Sequence, residues 1–449
     1  MTLFAVIAHS HPLMAQVPDP IAPAPEPAAP SATPTPKTVT NAGEVPPLVE
    51  PVLDLPATPA AQIDAITLFP NQGEISGTGF NDQRFGYVLH GEARAVYDSN
   101  LFIQPRNERE DFIFRISPGV SVGWGEFKSE LTGGDSFRNR FERSAGKNYF
   151  YVNYSPSYTW YTNNGDLDAF DQAARLEGEW AIQRLTIGVR AGYVTETVPV
   201  EDIGNLVAQK RLTAALTSTY DYSGKTSFEF NNFFAGVSYD GIGQDSREWR
   251  NEDWMNYQIS PKIQLGLGGT VAYVERDAVP AQNYEQARLR AIYEASEKLK
   301  LSLTGGVEWR RSEGEDSQTH GTFELDMAWN PFEGASLYLQ GYRRSVTGVS
   351  LGSEYNIATG AVAQYRQRLF RRFFFEMTAE YQNSDYQQGS GSSNQARTDD
   401  LLSLRPGVGF DMAAWLNCEI TGEYRQNDSS DAQRGYDATR AMVRFNLLF

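Results

Sequence analysis

LKLSLTGGVEWR, residues 299–310, alternates between two kinds of side chain. Leucine, glycine, valine and tryptophan occupy the odd positions, whereas lysine, serine, threonine, glutamate and arginine fall at even ones. Because successive side chains of a strand point to opposite faces, this period of two predicts a β-strand with one apolar and one charged face. The segment is also long enough for a tilted strand to cross a bilayer, which takes about 9 to 11 residues.

The same design recurs on both sides of this segment, for example at 185–193 and 263–273. Short connections such as 182–184 take turns with long polar ones such as 386–398, as in bacterial barrels with short periplasmic turns and long external loops. The hairpin unit repeats about every 36 to 40 residues. No run of about 18 apolar residues predicts a transmembrane helix.

Counting strands by this rule gives about eighteen, an even number as single-chain bacterial barrels require. Residues 124–147 leave room for one more hairpin, which would make twenty. Pro118 and Pro406 fall inside strands and predict bulges or strand ends, because proline cannot donate to the ladder. We place the strands at 85–97, 111–123, 148–161, 169–182, 184–196, 209–221, 225–238, 249–260, 262–275, 284–296, 298–311, 318–330, 334–346, 355–368, 371–385, 398–411, 415–427 and 436–449.

The last segment carries the most specific pattern. Aromatic and aliphatic residues from Ala441 to Phe449 occupy alternate positions. An alternating strand that ends in an aromatic residue resembles the signal read by the barrel-assembly machinery of the outer membrane. We therefore predict that Phe445 and Phe449 form this assembly signal.

These patterns predict an all-β fold, a closed antiparallel transmembrane β-barrel of about 18 strands behind a disordered Pro-rich N-terminal segment. We expect a truncated signal peptide at 1–16, a Pro-rich periplasmic linker at 17–83 and the outer-membrane barrel at 84–449. The signal segment has an apolar run but no preceding Lys or Arg. The linker is either a tail without a partner or a tether to a periplasmic structure.

The charged face of each strand predicts the lining of a pore, because charges in hydrocarbon cost about 2 to 4 kcal/mol each for Arg or Lys at mid-bilayer. At about 18 strands the lumen is too wide for side chains to fill. The lining is either a solvated wall with lateral ion pairs or a selectivity surface suited to neutral solutes such as sugars. The predicted pore-lining residues are Arg175, Glu177, Glu179, Arg190, Arg211, Arg288, Arg290, Lys300, Glu308, Arg310, Glu324, Asp326, Arg344, Arg366, Glu376, Glu380, Glu419, Glu423, Arg425, Arg440 and Arg444.

Aromatic residues are expected in two places. Tyr338 and Tyr342 are candidates for stacking a sugar inside the pore. Tryptophans near strand ends predict an interfacial girdle. They are Trp160, Trp180, Trp249, Trp254, Trp309, Trp329 and Trp415.

Other chemistry has little support in the sequence. A formal net charge of −17 argues against nucleic acid as a partner. His90 and His320 stand alone, without metal-ligand or catalytic spacing, so we predict no cofactor, no metal and no enzymatic activity. The single cysteine, Cys418, is expected to be a small hydrophobic residue on the lipid-facing side.

The first hairpin carries YDSNLF at 97–102 and SPGV at 117–120. These motifs resemble those of the β-barrel porin 2 family of outer-membrane proteins, and the likeness extends over about 85–449. The resemblance implies an outer-membrane barrel. Some family members are similar to barrels paired with exopolysaccharide export, in which a separate periplasmic export protein delivers the polymer.

We therefore expect a channel in the cell outer membrane, with its linker in the periplasm. It is either an exit pore for a secreted polysaccharide or a passive porin for polar solutes, including general diffusion of small sugars or ions. A non-transporting structural or adhesion barrel is the remaining alternative. No external loop is long enough to be an obvious constriction, which favours the exit pore. Expected partners are outer-membrane lipid and lipopolysaccharide, the barrel-assembly machinery and a periplasmic polysaccharide export protein.

Overall fold

The computed structural model describes residues 85–125, 148–200, 205–241, 245–277, 279–314, 316–348, 355–370, 372–387, 397–413 and 415–448. The predicted signal peptide, the Pro-rich linker and Phe449 lie outside these residues and stay predictions. The same holds for 126–147, where the sequence left room for a further hairpin. Among the described residues, no helix is long and apolar enough to cross a membrane.

The described chain forms an 18-stranded sheet, so the predicted number of strands is confirmed. A single turn of 3-10 helix, Gly165–Leu167, lies between the third and fourth strands. The strands are β1 (Phe85–Asp98), β2 (Asp111–Gly125), β3 (Tyr149–Tyr161), β4 (Ala169–Ile182), β5 (Leu185–Val200), β6 (Asn205–Asp221), β7 (Thr226–Tyr239), β8 (Ser246–Ser260), β9 (Ile263–Arg276), β10 (Gln282–Ser296), β11 (Leu299–Ser312), β12 (Gln318–Trp329), β13 (Ala335–Thr347), β14 (Tyr355–Leu369), β15 (Phe373–Gln387), β16 (Arg397–Ala413), β17 (Leu416–Ser429) and β18 (Tyr436–Leu448).

Each strand pairs antiparallel with its neighbours in the chain, and β1 pairs with β18 to close the barrel. In this closing seam His90 lies opposite Leu448 and Asp98 lies opposite Arg440. Closure removes the free edges that an open sheet would expose. The predicted closed antiparallel barrel is confirmed.

The connections differ in length at the two ends of the barrel. At one end, called here the turn end, most connections are short, from two residues at 183–184 and 261–262 to five at 330–334. At the other, the loop end, connections such as 99–110 are longer. The predicted alternation of short and long connections is therefore present, apart from 126–148, which joins β2 to β3 at the turn end and lies almost entirely outside the described residues.

The outer face of the wall is apolar, as the alternation predicts. Leu289 is 65 % exposed, Leu303 is 52 % exposed and Val443 is 37 % exposed. The opposite face is polar and buried, with Glu177 at 0 % and Arg425 at 1 % exposure. Each strand thus separates an apolar from a charged environment.

The polar face is the concave, inner one. Arg290 of β10 reaches Glu229 of β7 at 3.0 Å, across two intervening strands. The Tyr342 hydroxyl of β13 donates to Gln382 Oε1 of β15 at 2.7 Å, across one strand. Side chains meet over an intervening strand where the sheet curves towards them, so these charges lie inside the barrel.

Two prolines inside strands interrupt the ladder without shifting it. Pro118 keeps its register opposite Gly91 of β1, but between β2 and β3 pairing skips from Ile116 to Val120. Pro156 lies at the matching place in β3, so two residues without an N–H face each other. The predicted bulge or strand end was wrong here. The missing N–H groups interrupt only the ladder between β2 and β3, while Pro118 stays paired with β1 and Pro156 stays paired with β4.

Pro406 behaves in the same way. It pairs in register with Met377 of β15, while the ladder between β16 and β17 skips from Leu404 to Gly407. The register is the same on both sides of this gap. Pro406 is therefore neither a strand end nor the site of a bulge.

The YDSN motif folds into a cap at the loop end. The Asn100 N–H donates to Asp98 Oδ1 at 3.0 Å, and Asn100 Nδ2 donates to the carbonyls of Gln104 and Asp437 at 2.9 and 3.0 Å. Asn100 is fully buried. One amide thus ties the β1–β2 loop to β18, which gives the motif a structural role.

Candidate pore and its constriction

All the residues predicted to line the pore lie on the inner face, at positions that alternate with outward apolar side chains. The structure gathers many of them into ion-paired clusters along the wall. Their contact with a permeating solute stays a prediction. Four clusters show how the charges are arranged.

The first cluster surrounds Glu177 on β4, in the half towards the turn end. The Tyr149 and Tyr151 hydroxyls donate to its two oxygens at 3.0 and 2.9 Å. Arg175 lies 2.5 Å from Oε2 and Arg190 lies 3.2 Å from Oε1. Four donors thus converge on one fully buried carboxylate.

The second cluster is built on Trp254, which is 3 % exposed and points inward. The guanidinium carbons of Arg290 and Arg288 lie 4.2 and 5.0 Å from the centroid of its ring. Arg288 pairs with Glu252 at 2.6 Å, and Arg290 pairs with Glu229 at 3.0 Å. The girdle prediction was wrong for Trp254, because the period of two in β8 places it on the arginine-bearing side.

The other predicted girdle tryptophans with large exposure do lie on the outer face. Trp249 is 60 % exposed and Trp415 is 48 % exposed, while Trp309 and Trp329 are 43 and 42 % exposed. Each of these four is close to an end of its strand or to a turn. This is the arrangement expected of an interfacial belt.

The third cluster joins β10, β11 and β14. Arg310 pairs with Glu308 at 2.9 Å. Its guanidinium lies between two tyrosine rings, 4.5 Å from Tyr284 and 4.9 Å from Tyr355. Stacking and ion pairing together fix this arginine against the wall.

The fourth cluster crosses the closing seam. Arg440 of β18 pairs with Asp98 of β1 at 2.7 Å and with Glu423 of β17 at 3.8 Å. Arg444 lies 3.3 Å from Glu419 and 3.6 Å from the β1 carboxylate Glu92. In all four clusters every cation has a carboxylate within 4 Å, so the wall is a mixed lattice of charges.

The β5–β6 hairpin bends into the interior at the loop end. In the described residues of its tip, 196–200 and 205–209, side chains of both parities are buried: Val198 is 5 % exposed, Val200 is 3 % exposed, and Pro199 is also buried. Val207 packs with these valines and with Tyr239 of β7. A hairpin that projected into solvent above the barrel would have at least one exposed face. Because both faces of this tip are buried, the tip lies inside the barrel.

A cavity of about 140 Å³ shows what the tip faces. Its lining combines the tip with the strands beside the closing seam, which are several strands away along the wall. The tip side includes Thr197, Val198, Pro199 and Leu206, and the wall side includes Arg94, Asp98, Arg115, Arg405, Glu423 and Arg440. The lengths of the external loops in the sequence indicated no constriction. The inward segment consists instead of the ends of two long strands, which are joined by a connection of only four residues.

The β13–β14 hairpin also bends inward. Tyr355, Ile357 and Ala358 are all at most 5 % exposed, although they include both parities of β14. Arg276 of β9 donates to the Gly348 carbonyl at 2.9 Å. The Tyr355 hydroxyl lies 2.8 Å from His320 Nε2 of β12. This tip therefore lies against the β9–β12 wall.

The two tips approach the interior from nearly opposite sides. Six strands separate them along one way round the barrel and eight along the other. The open path between them at the loop end is therefore narrower than the barrel itself. We call the described parts of these two segments, 196–200 with 205–209 and 344–348 with 355–358, the constriction tips.

The two predicted stacking tyrosines are enclosed in the wall. Tyr338 and Tyr342 are 6 and 3 % exposed. Their hydroxyls donate to Asp326 Oδ1 at 2.5 Å and to Gln382 Oε1 at 2.7 Å. Their rings therefore offer no open face for a solute, and the prediction was wrong.

The lone histidines are also part of the wall. His90 Nε2 lies 2.8 Å from the side-chain nitrogen of Asn153, and His320 contacts Tyr355 as described. Within the described chain, no group of three His, Cys, Asp or Glu could hold a metal ion.

Several interior charges were absent from the predicted lining. Arg94, Arg115, Glu229, Glu252 and Arg405 all take part in the clusters or line the cavity. The period of two in their strands was sufficient to find them. Arg405 also follows this period, because the register of β16 continues through Pro406.

Comparison with known proteins gives a distant likeness only. No protein-family model and no curated protein matches the chain. The barrel is similar to OccK2 (OpdF) of Pseudomonas aeruginosa, with a TM-score of 0.43, 12 % identity and coverage of 81 % of this chain and 98 % of that one.

Two further solved structures resemble the barrel to the same degree. For Acinetobacter baumannii OccAB4 the TM-score is 0.44 at 9 % identity, covering 82 % of this chain and 100 % of that chain. For Pseudomonas aeruginosa OpdK with vanillate it is 0.42 at 11 % identity, covering 81 and 99 %. At these values the fold rests on the strand pairing described above.

Proposed function

We propose that this protein is a channel of the outer membrane through which small polar solutes diffuse passively. The observation that carries the proposal is a closed barrel whose outer face is apolar and whose inner face is a lattice of charges. Transfer of apolar surface out of water is favourable by about 25 cal/mol per Å², so the outer belt is stable in hydrocarbon. The inner charges need water, which a lumen of this strand number holds.

The ion-paired lattice supports polar solutes without strong charge preference. Arg440 lies between two carboxylates and Glu177 lies between two arginines. Neighbouring charges of opposite sign produce a transverse field that orients dipoles, and in the described clusters the two signs are interleaved and do not form a region that repels one kind of ion. Small neutral molecules such as sugars are the solutes that such a wall suits best.

The constriction tips support small solutes over polymers. A polysaccharide exit pore needs a continuous wide path through the loop end, and both tips reduce that path. Polysaccharide export, with its periplasmic export protein, is therefore the weaker of the two transport proposals. A structural or adhesion barrel without transport is the weakest proposal, because it does not explain why the interior is lined with charged side chains.

Location and assembly follow from the same proposal. Mostly short turns on one side and longer loops on the other support an orientation with the turn end in the periplasm and the loop end outside. The outer belt would contact phospholipid and lipopolysaccharide. Phe445, 39 % exposed on the outer face of β18, is the described part of the proposed signal for the barrel-assembly machinery.

A planar-bilayer recording of the purified, folded protein tests the channel. We expect stable ohmic steps in KCl and, in liposome swelling, faster entry of monosaccharides than of oligosaccharides. A barrel that is folded by its heat-modifiable mobility but conducts nothing would contradict both transport proposals. Equal entry of oligosaccharides would instead favour a wide exit pore.

A further inference from the structure

The outer face contains a polar patch halfway along two neighbouring strands. Asn232 of β7 lies opposite Asn251 of β8, and Asp253 follows two positions along β8. All three alternate with inward residues and occupy the middle of their strands. We call these three residues the outer polar patch.

The position of the patch makes it unusual. Other outward carboxylates that the structure describes, such as Glu275 and Glu285, lie at the loop end of their strands. Around the patch the outer face is apolar, with Phe230 at 49 % and Val271 at 60 % exposure. In the proposed orientation Asp253 is at mid-bilayer depth, where lipid tails offer no hydrogen bond.

The patch satisfies only part of its own hydrogen bonding. Asn251 Nδ2 lies 3.3 Å from both Asn232 Oδ1 and Asp253 Oδ1, and 3.4 Å from the Asn231 carbonyl. Within the described chain, Asp253 Oδ2 accepts no hydrogen bond and Asn232 Nδ2 donates none; the bonds of these two side chains go through Oδ1 of each. One acceptor and one donor thus point outward from the barrel.

We propose that the outer polar patch is the contact surface between two copies of this chain in the membrane. A twofold axis parallel to the barrel axis brings the patch of one copy against the same patch of the other, at the same depth. The Asn232 amide of each copy then donates to Asp253 of the second copy. The patch carries one free donor and one free acceptor, so two copies satisfy each other without a third component.

Local geometry permits this approach. Gly269 of β9 lies beside Asp253 in the sheet and has no side chain. A methyl group added there would come no closer than 3.7 Å to any heavy atom, so the outer surface at this position is open. Small residues at membrane interfaces let two backbones come close enough for polar side chains to meet.

The first experiment is thiol crosslinking. Asn232→Cys is placed in a Cys418→Ala background, which removes the single native cysteine, and outer membranes are treated with a short bismaleimide. We expect a species of twice the monomer mass. Ala361→Cys is the matched control, because Ala361 is exposed on the outer face at the middle of β14, away from the patch.

The second experiment removes the patch. The triple variant Asn232→Leu, Asn251→Leu and Asp253→Leu is compared with the wild type by mass photometry in a mild detergent. We expect dimers for the wild type and association weakened about tenfold or more for the variant, as the loss of two charge-assisted hydrogen bonds implies. Heat-modifiable mobility confirms that the variant is folded.

The outcomes separate this inference from the proposed function, on whose membrane location it rests. A wild type that is monomeric and gives no Asn232→Cys crosslink overturns the dimer, even when it conducts. Crosslinking to a protein of another mass also overturns it. Because the patch is outside the lumen, the triple variant should keep the wild-type conductance per barrel, and loss of the dimer with unchanged conductance supports the inference.

Discussion

Glu177 shows how strongly a single interior carboxylate is held. It receives two tyrosine hydroxyls and two arginines and is completely buried. Removing one member of a buried ionic group leaves the others unpaired, and this usually costs more than the original pairing contributed. The cluster is therefore a point where the wall is sensitive to substitution.

We expect Glu177→Ala to lower the free energy of unfolding by about 3 kcal/mol, because two arginines and two hydroxyls lose their acceptor. The measurement is urea unfolding of the barrel in lipid vesicles. Lys210→Ala is the control: Lys210 pairs with Asp240 at 3.3 Å on the exposed outer side, and an exposed pair contributes under about 1 kcal/mol. If Glu177→Ala and Lys210→Ala lower the free energy of unfolding equally, burial does not determine how much these ion pairs contribute.

Two adjacent glycines of β9, Gly268 on the inner face and Gly269 on the outer face, test the assignment of the two faces. A Cβ on Gly268 would lie 2.5 Å from the ring of Trp254, whereas on Gly269 it would be 3.7 Å from its nearest neighbour. We expect Gly268→Val to destabilise the single barrel by about 2 kcal/mol through overpacking. Gly269→Val should leave the stability of the single barrel unchanged or raise it, although its larger side chain would hinder the proposed dimer. Thermal unfolding followed by gel mobility distinguishes them, and the reverse order would mean that the faces are exchanged.

The inner charges were predictable because β-structure has a period of two. Once the face of one residue in a strand is known, the faces of all the others in that strand can be assigned by alternation. The outward Trp309, for example, implies that Glu308 and Arg310 point inward. Partners were not predictable in this way. The contact between Arg290 and Glu229 joins residues 61 positions apart and crosses two strands, so it depends on the curvature of the sheet.

The strands themselves were predicted well because membrane-crossing segments repeat one pattern. The errors fall where the strand leaves that pattern. In β5 the run Val198-Pro199-Val200 lacks alternation, and in sequence it looks like a loop. It is paired and buried because it folds over the lumen and meets Tyr239 and the seam strands, which no local pattern reports.

Shortening the β5–β6 tip tests the constriction. Replacing 198–207 by Asn-Gly joins Thr197 to Ala208, which already pair, through a turn that suits a hairpin. We expect single-channel conductance to rise by about twofold, because a wider aqueous path remains at the loop end. The readout is the current step in a planar bilayer.

The control for this change is deletion of 431–434 from the β17–β18 loop, where most side chains are exposed. This deletion also shortens a connection at the loop end, but one that does not bend into the lumen. It should therefore leave the conductance unchanged. If both deletions raise the conductance equally, the β5–β6 tip does not limit flow. If neither does, the narrowest part of the path lies elsewhere.

In the four described clusters each cation is paired with a carboxylate, although the full chain has a formal net charge of −17. We therefore expect weak ion selectivity, with a cation-to-anion permeability ratio within about threefold of one. The reversal potential in a KCl gradient measures this ratio. A strongly cation-selective channel would mean that the net acidity, and not the paired wall, determines the field.

Glu423→Gln provides an internal comparison for that measurement. Glu423 lies near Arg405 at 2.8 Å and Arg440 at 3.8 Å, beside the cavity under the β5–β6 tip. Removing its charge leaves an excess of arginine there, so the reversal potential should shift towards anion preference. A shift in the other direction would contradict the inward position of these arginines.

The seam between β1 and β18 has a consequence for how the barrel is made. Asp98 and Glu92 are among the first residues of the barrel, and their counterions Arg440 and Arg444 are among the last. A sheet in which β18 has not yet paired with β1 would lack both of these ion pairs and would expose a free strand edge. Closure of the seam thus covers the edge and completes its ion pairs in one step, so an open sheet differs from the closed cylinder in the charge of its edge as well as in shape.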